Sequence, residues 1–168
     1  MTAPAVTPTM TEGRKKFLHY VFTTAMEGGI RYWAQCETYH WVNPNRRPES
    51  TVMDTDYLDL DGFSAKITSI DGGWGTDEVF QSGQEGPREL RKNEPLRIDA
   101  AVINRGVIMM VDKVMEAAES EDPNAQFSWN YLRQFVIQYL TDGEDGDSDA
   151  TVCDWVVQLG LFGAQVYG

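Results

Sequence analysis

Residues 23–41 read TTAMEGGIRYWAQCETYHW, and the chain is organised around them: a helix stops at Gly28-Gly29 and an aromatic strand leaves from it. Upstream, Phe17, Leu18, Val21, Phe22 and Ala25 recur at i, i+1, i+4, i+5 and i+8, one face of an amphipathic helix. Gly28 predicts the left-handed position that ends many helices. Glu27 falls in the last turn, where the negative end of the helix dipole disfavours a carboxylate by a few tenths of a kcal/mol up to roughly 1. A residue set against a local rule is a candidate for another task. The plain alternative is a solvated Glu paired with a nearby cation.

From Ile30 the period becomes two, which predicts a strand. Ile30, Tyr32, Ala34, Cys36, Thr38, His40 and Val42 fall on one face, small enough to pack on the helix. Arg31, Trp33, Gln35, Glu37, Tyr39 and Trp41 fall on the other. Flat rings beside hydrogen-bonding groups are what ligand pockets and protein interfaces share. The competing reading makes Trp33, Tyr39 and Trp41 a second buried face.

A length of 168 residues is most simply one domain, long enough to bury about 70 per cent of its unfolded surface. Residues 1–10 predict a disordered tail and 11–168 a single α+β domain. Cys36 and Cys153, in no CxxC spacing, signal neither zinc nor a disulfide framework. No apolar run has the length of a membrane span and no signal-peptide pattern opens the chain, so the reading is cytoplasmic. The net charge is −12 and uneven: residues 1–50 carry 6 Lys and Arg against 4 Asp and Glu, the remainder 8 against 22. That argues against duplex nucleic acid, whose affinity comes from cations on phosphates. It leaves room for a local basic pocket, or for an acidic surface that imitates nucleic acid towards a basic partner.

Along the rest of the chain, Arg46 and Arg47 in a Pro/Asn loop form a pair able to grip a phosphate or carboxylate, or simply a solvated one. The acidic stretches 54–62 and 142–149 fail the calcium-loop template, since Gly and the bidentate Glu are misplaced. Residues 63–70 read as a strand, 74–95 as a long mobile loop or lid, and 96–98 as a short strand. Asp99 is placed to cap a helix from Ala100 to about Ala118, within which Gly106 predicts close packing or a ligand, with Arg105 off the apolar stripe. A third helix runs over 127–140, and Asp149 caps a fourth, whose Asp154 and Gln158 face either a polar site or, the favoured reading, its solvent side. The apolar end FGAQVYG must dock on the body or on another subunit. The fold expected is thus α+β, about four helices packed on a small antiparallel sheet.

No nucleophile elbow, phosphate loop, dinucleotide fingerprint or zinc-protease motif occurs. Cys36 and His40, at i and i+4 on a strand, would lie about 13 Å apart, too far for a nucleophile and its base. His19 reads as a surface residue. A two-carboxylate mechanism from Glu27 with Asp99 or Asp154 remains an open alternative.

EGGIRYW at 27–33, IDAAVINRG at 98–106 and DATVCDWVVQLGLFGAQVYG at 149–168 resemble small uncharacterised proteins of actinobacterial tailed phages. The EGG-x-x-YW element is also similar to one in small proteins of other tailed phages. The resemblance brings no catalytic residues. It implies action in the cytoplasm of an infected host, most simply as an anti-defence or host-takeover factor. The expected function is a non-catalytic, homo-oligomeric binding protein that sequesters a small anionic, nucleotide-type ligand, without cofactor or metal. Trp33, Tyr32 or Tyr39 would stack on a base, Arg31 with Arg46 or Arg47 would meet phosphate, Glu27 would accept hydrogen bonds, and Arg105 would join the site. The alternatives are an acidic inhibitor of a host protein or a carboxylate-dependent enzyme.

Overall fold

The computed structural model describes residues 9–45, 57–120, 122 and 124–168. Thr11 opens the first helix, α1 (Glu12–Glu27), by accepting the Arg14 amide on its side chain at 3.1 Å. Phe17, Leu18, Val21, Phe22 and Ala25 are all buried, as their spacing predicts. Met10, within the tail expected over 1–10, packs on the core, and residues 1–8 lie outside the described residues.

The end of α1 departs from expectation. Gly28 is not left-handed (φ −118°, ψ −93°), and the chain runs into a 3-10 turn, Gly29–Tyr32, instead of a strand. The glycines serve close approach: a Cβ on Gly28 would strike Ala150, and one on Gly29 would strike Asp154, both on the last helix. Strand β1 (Ala34–His40) therefore begins four residues later than its alternation suggests.

β1 pairs antiparallel with β2 (Ser64–Ser69), and β2 with β5 (Leu96–Asp99), giving the order β1-β2-β5. Between Cys36 and Thr38 the register shifts by a bulge. An extra residue in one strand exchanges its two faces. Ala34 is buried before the bulge, whereas Tyr39 and Trp41 pack inward after it, with the Tyr39 ring 5.6 Å from Phe22 and the Trp41 ring 6.5 Å from His19. The unbroken two-face reading of 30–42 is corrected accordingly.

Residues 74–95, expected as a mobile lid, form an anchored hairpin of β3 (Glu78–Val79) and β4 (Arg88–Glu89). Val79 and Leu90 are buried, the Phe80 amide donates to the Leu161 carbonyl at 2.6 Å, and Trp74 Nε1 donates to the Glu94 carbonyl at 2.8 Å. Arg88 clasps Glu94 through both terminal guanidinium nitrogens, at 2.8 and 2.9 Å. Such a segment carries no periodicity, because single buried residues and side-chain clasps hold it.

Asp99 caps α2 (Ala100–Glu119), accepting the Ala101 and Val102 amides. Helix α3 (Trp129–Leu140) packs Phe135 against Phe17 of α1, and α4 (Ala150–Phe162) starts on Asp149, which accepts the Val152 amide at 2.9 Å. Helices α2 and α4 cross at Gly106 and Gly160. A Cβ on either would enter the backbone of the opposite helix, at the Val156 and Val102 carbonyls respectively. The fold is α+β: among the described residues, four α-helices with a three-stranded antiparallel sheet and a two-stranded hairpin, around one cluster of buried apolar residues.

Candidate functional site

The turn after α1 gathers several of the residues singled out in the sequence. Glu27 Oε1 accepts from the Tyr39 hydroxyl at 3.1 Å, and Arg31 Nη2 donates to the Glu27 carbonyl at 2.6 Å. Arg31 thereby satisfies one of the carbonyls a helix end leaves over. Burial, then the neighbouring Glu27 carboxylate, pushes the Tyr39 phenol well above its ordinary value, so it stays a donor. Tyr32 projects into solvent, 81% exposed.

Trp33 does not join them. It is 3% exposed, its Nε1 donates to Asp154 Oδ1 at 2.7 Å, and Tyr167 stacks on its ring at 4.9 Å and 6°. Trp33 thus lies in the core, with its ring face occupied by Tyr167 of the same chain. Arg105 is likewise engaged elsewhere: Nη1 donates to the Gly160 carbonyl at 2.9 Å and the guanidinium lies 5.3 Å from the Phe80 ring centre. It closes the C-terminal end of α4, where a cation meets the negative pole of the helix. Arg46 and Arg47 lie outside the described residues.

Glu27 instead faces a groove of about 440 Å³ that the sequence did not reveal, lined also by Lys16, His19, Tyr20, Thr23, Trp41 and Leu58. Lys16, Tyr20, Thr23 and Glu27 follow one another at helical spacing on the outer face of α1. The stripe that buries the opposite face implies this line, but nothing in the sequence shows that Trp41 and Leu58 wall it. They do so because of the bulge and the Val42–Leu58 bridge. The Trp41 ring is held between Tyr39, at 6.3 Å, and Tyr57, at 6.2 Å.

His19 fixes the Trp41 backbone. Contrary to the surface assignment, it is 3% exposed, with Nε2 and the Trp41 carbonyl oxygen 2.7 Å apart. Burial lowers its pKa, opposed by the hydrogen bond to Trp41 and by the Asp59 charge. The neutral ring therefore donates Nε2–H to that carbonyl. Lys16 and Tyr20 also border a second groove, of about 640 Å³, with Glu12, Asp142, Glu144 and Asp147 among its walls.

Asp154 and Gln158, expected on the solvent side of α4, are 8% and 0% exposed. Gln158 Nε2 donates to Asp154 Oδ2 at 2.8 Å, so the carboxylate is shared between Trp33 and Gln158. Burial raises the Asp154 pKa, and the two hydrogen bonds pull it back. Helix α4 is covered on several sides, which is why a polar pair at i, i+4 on it is interior rather than wet.

The carboxylates weighed as partners for Glu27 both have structural engagements: Asp154 in this network, and Asp99 on the α2 amides and the Ser82 hydroxyl. Cys36 Sγ donates to the Thr38 carbonyl and His40 Nε2 meets Asp59 Oδ2 at 2.7 Å, so the two are not paired. Burial pushes the Cys153 thiol up to about 12, which keeps it protonated and unreactive. Among the described residues no three His, Cys, Asp or Glu side chains gather to hold a metal ion, and no helix is long and apolar enough to cross a membrane. Comparisons with protein-family models, with curated proteins and with solved structures give no match.

Proposed function

We propose that the protein is a non-catalytic binding protein whose ligand site is the groove between the outer face of α1 and Trp41. The observation that carries this reading is the combination of residues there: an aromatic wall, a carboxylate, a hydroxyl and an ammonium around a volume of about 440 Å³. That volume is in the range of small-molecule sites, which are mostly apolar with a few placed polar groups. A nucleotide-type ligand fits this chemistry. Its base would lie on Trp41 or Tyr20, Thr23 and Glu27 would hydrogen-bond base or sugar, and Lys16 would meet a phosphate. The phage resemblance makes a nucleotide immune signal of the host the first class to test, and sequestration the first role.

Calorimetric titration with a panel of linear and cyclic nucleotides tests the reading. Loss of one stacking ring is worth about 1 to 3 kcal/mol, so Trp41→Ala is expected to weaken binding by roughly 5- to 150-fold while leaving the circular dichroism spectrum unchanged. No uptake of any nucleotide at about 1 mM, or uptake indifferent to Trp41→Ala, would remove the proposal.

The adjoining groove favours a second reading. Four carboxylates, of Glu12, Asp142, Glu144 and Asp147, border it; Lys16 pairs with Glu12 at 3.1 Å and Arg14 with Asp142 at 2.8 Å, which leaves the charges of Glu144 and Asp147 in excess. A basic segment of a host protein would complement that field, in keeping with an acidic inhibitor.

A further inference from the structure

Away from both grooves, residues 164–168 are held by side chains of the body rather than by a backbone ladder. Gly163, left-handed at φ 70°, ends α4 and turns the chain back along it. Gln158 then grips the returning backbone. Its Oε1 accepts the Val166 and Tyr167 amides, each at 2.8 Å, and its Nε2 donates to the Tyr167 carbonyl at 3.2 Å. A side-chain amide that accepts from the N–H and donates to the C=O of one residue offers what a neighbouring strand offers, the means by which extended peptides are recognised. The Tyr167 ring stacks on Trp33 and meets Phe162 in an edge-to-face contact at 6.2 Å, and its hydroxyl accepts the Gly75 amide at 2.8 Å.

Trp33 is tied to Asp154 and Asp154 to Gln158, so the recognising amide is aimed from below by a buried chain of hydrogen bonds. Such preorganisation is what a binding site supplies to its ligand. Gln165, Val166 and Tyr167 are only half-buried and belong to no helix or strand. We propose that this is a preformed site for an extended, tyrosine-bearing peptide, filled here in cis by residues 164–168, which leave it without unfolding the body and are replaceable in trans. Departure of the tail bares the Trp33 ring and the Gln158 amide, the groups that read the peptide.

Native-state hydrogen exchange on the full chain tests the opening. The Val166 and Tyr167 amides are expected to exchange by local opening, at least about tenfold faster than the Leu159 amide of α4. Exchange at the Leu159 rate would make the tail part of the global fold and overturn the proposal. Replacement in trans is read in the full-length Tyr167→Ala variant, which keeps Trp33, Asp154 and Gln158. A synthetic Ala-Gln-Val-Tyr-Gly peptide should return the Trp33 indole N–H resonance to its wild-type position, and a peptide with Ala for Tyr should not. An unmoved resonance at about 1 mM of the first peptide, or equal action of both, would overturn the proposal as well.

Discussion

Single residues here change role with their surroundings. Trp33 and Trp41 are both tryptophans of one aromatic segment, yet Trp33 is sealed between Asp154 and Tyr167 while Trp41 keeps a surface on the groove. His19 carries a pH dependence of known sign. Burial holds its folded-state pKa below the ordinary 6.5. Below that pH the unfolded chain takes up a proton that the folded chain refuses, so stability falls as pH falls from 6.5 towards the lower folded value. Urea midpoints measured near pH 7.5 and 5.5, about one unit either side of the imidazole range, are expected to drop in the wild type. The drop should shrink in His19→Gln, whose side-chain N–H still reaches for the Trp41 carbonyl. An equal drop in both proteins would show that His19 is not the titrating group.

At the scale of elements, two close contacts determine the packing. The crossing of α2 and α4 depends on Gly106 and Gly160, each against a carbonyl of the other helix. Two effects compete in Gly106→Ala: helix propensity favours Ala by about 1 kcal/mol, whereas forcing a methyl into packed backbone costs about 1 to 3 kcal/mol or more. A Cβ there meets backbone, which cannot swing aside, so the packing term should win. Thermal and urea denaturation are expected to show net destabilisation, and a stabilised variant would mean that the helices separate freely. A similar economy appears at the outer sheet strand, where Gln81 accepts the Arg97 amide and donates to the Arg97 carbonyl, both at 3.0 Å. That side chain covers part of the open edge of β5.

For the whole molecule, the charge of −12 and the two grooves bear on the two proposed readings. Salt separates the two readings. A basic protein segment on the acidic groove should lose affinity steeply as salt is raised beyond physiological strength, where the screening length is already about 8 Å. It should also be indifferent to Trp41→Ala. A stacked small ligand should show the reverse, and surface plasmon resonance at two salt concentrations distinguishes them. The reasons for expecting a homo-oligomer no longer stand on the aromatic segment and the apolar C-terminus. Trp33 is buried within the chain, Tyr39 and Trp41 pack against its core, and Val166 and Tyr167 dock on it.

The sequence by itself determined the elements whose signals are local. The apolar stripes of α1 and α2, the caps at Asp99 and Asp149 and the alternation of β2 each depend on neighbours a few residues away. It also marked Glu27, Arg31 and Tyr39 as neighbours, because a helix end and the strand after it are close along the chain. Only the tertiary structure decided how far burial extends around α1 and α4 and which face of β1 is wet. One extra residue in β1 reversed the faces that carry Tyr39 and Trp41, and contact on several sides of α1 and α4 buried His19, Asp154 and Gln158. The groove at Trp41 and the seat of the C-terminal tail join residues far apart in sequence, and long-range packing leaves no period in the chain from which to read them.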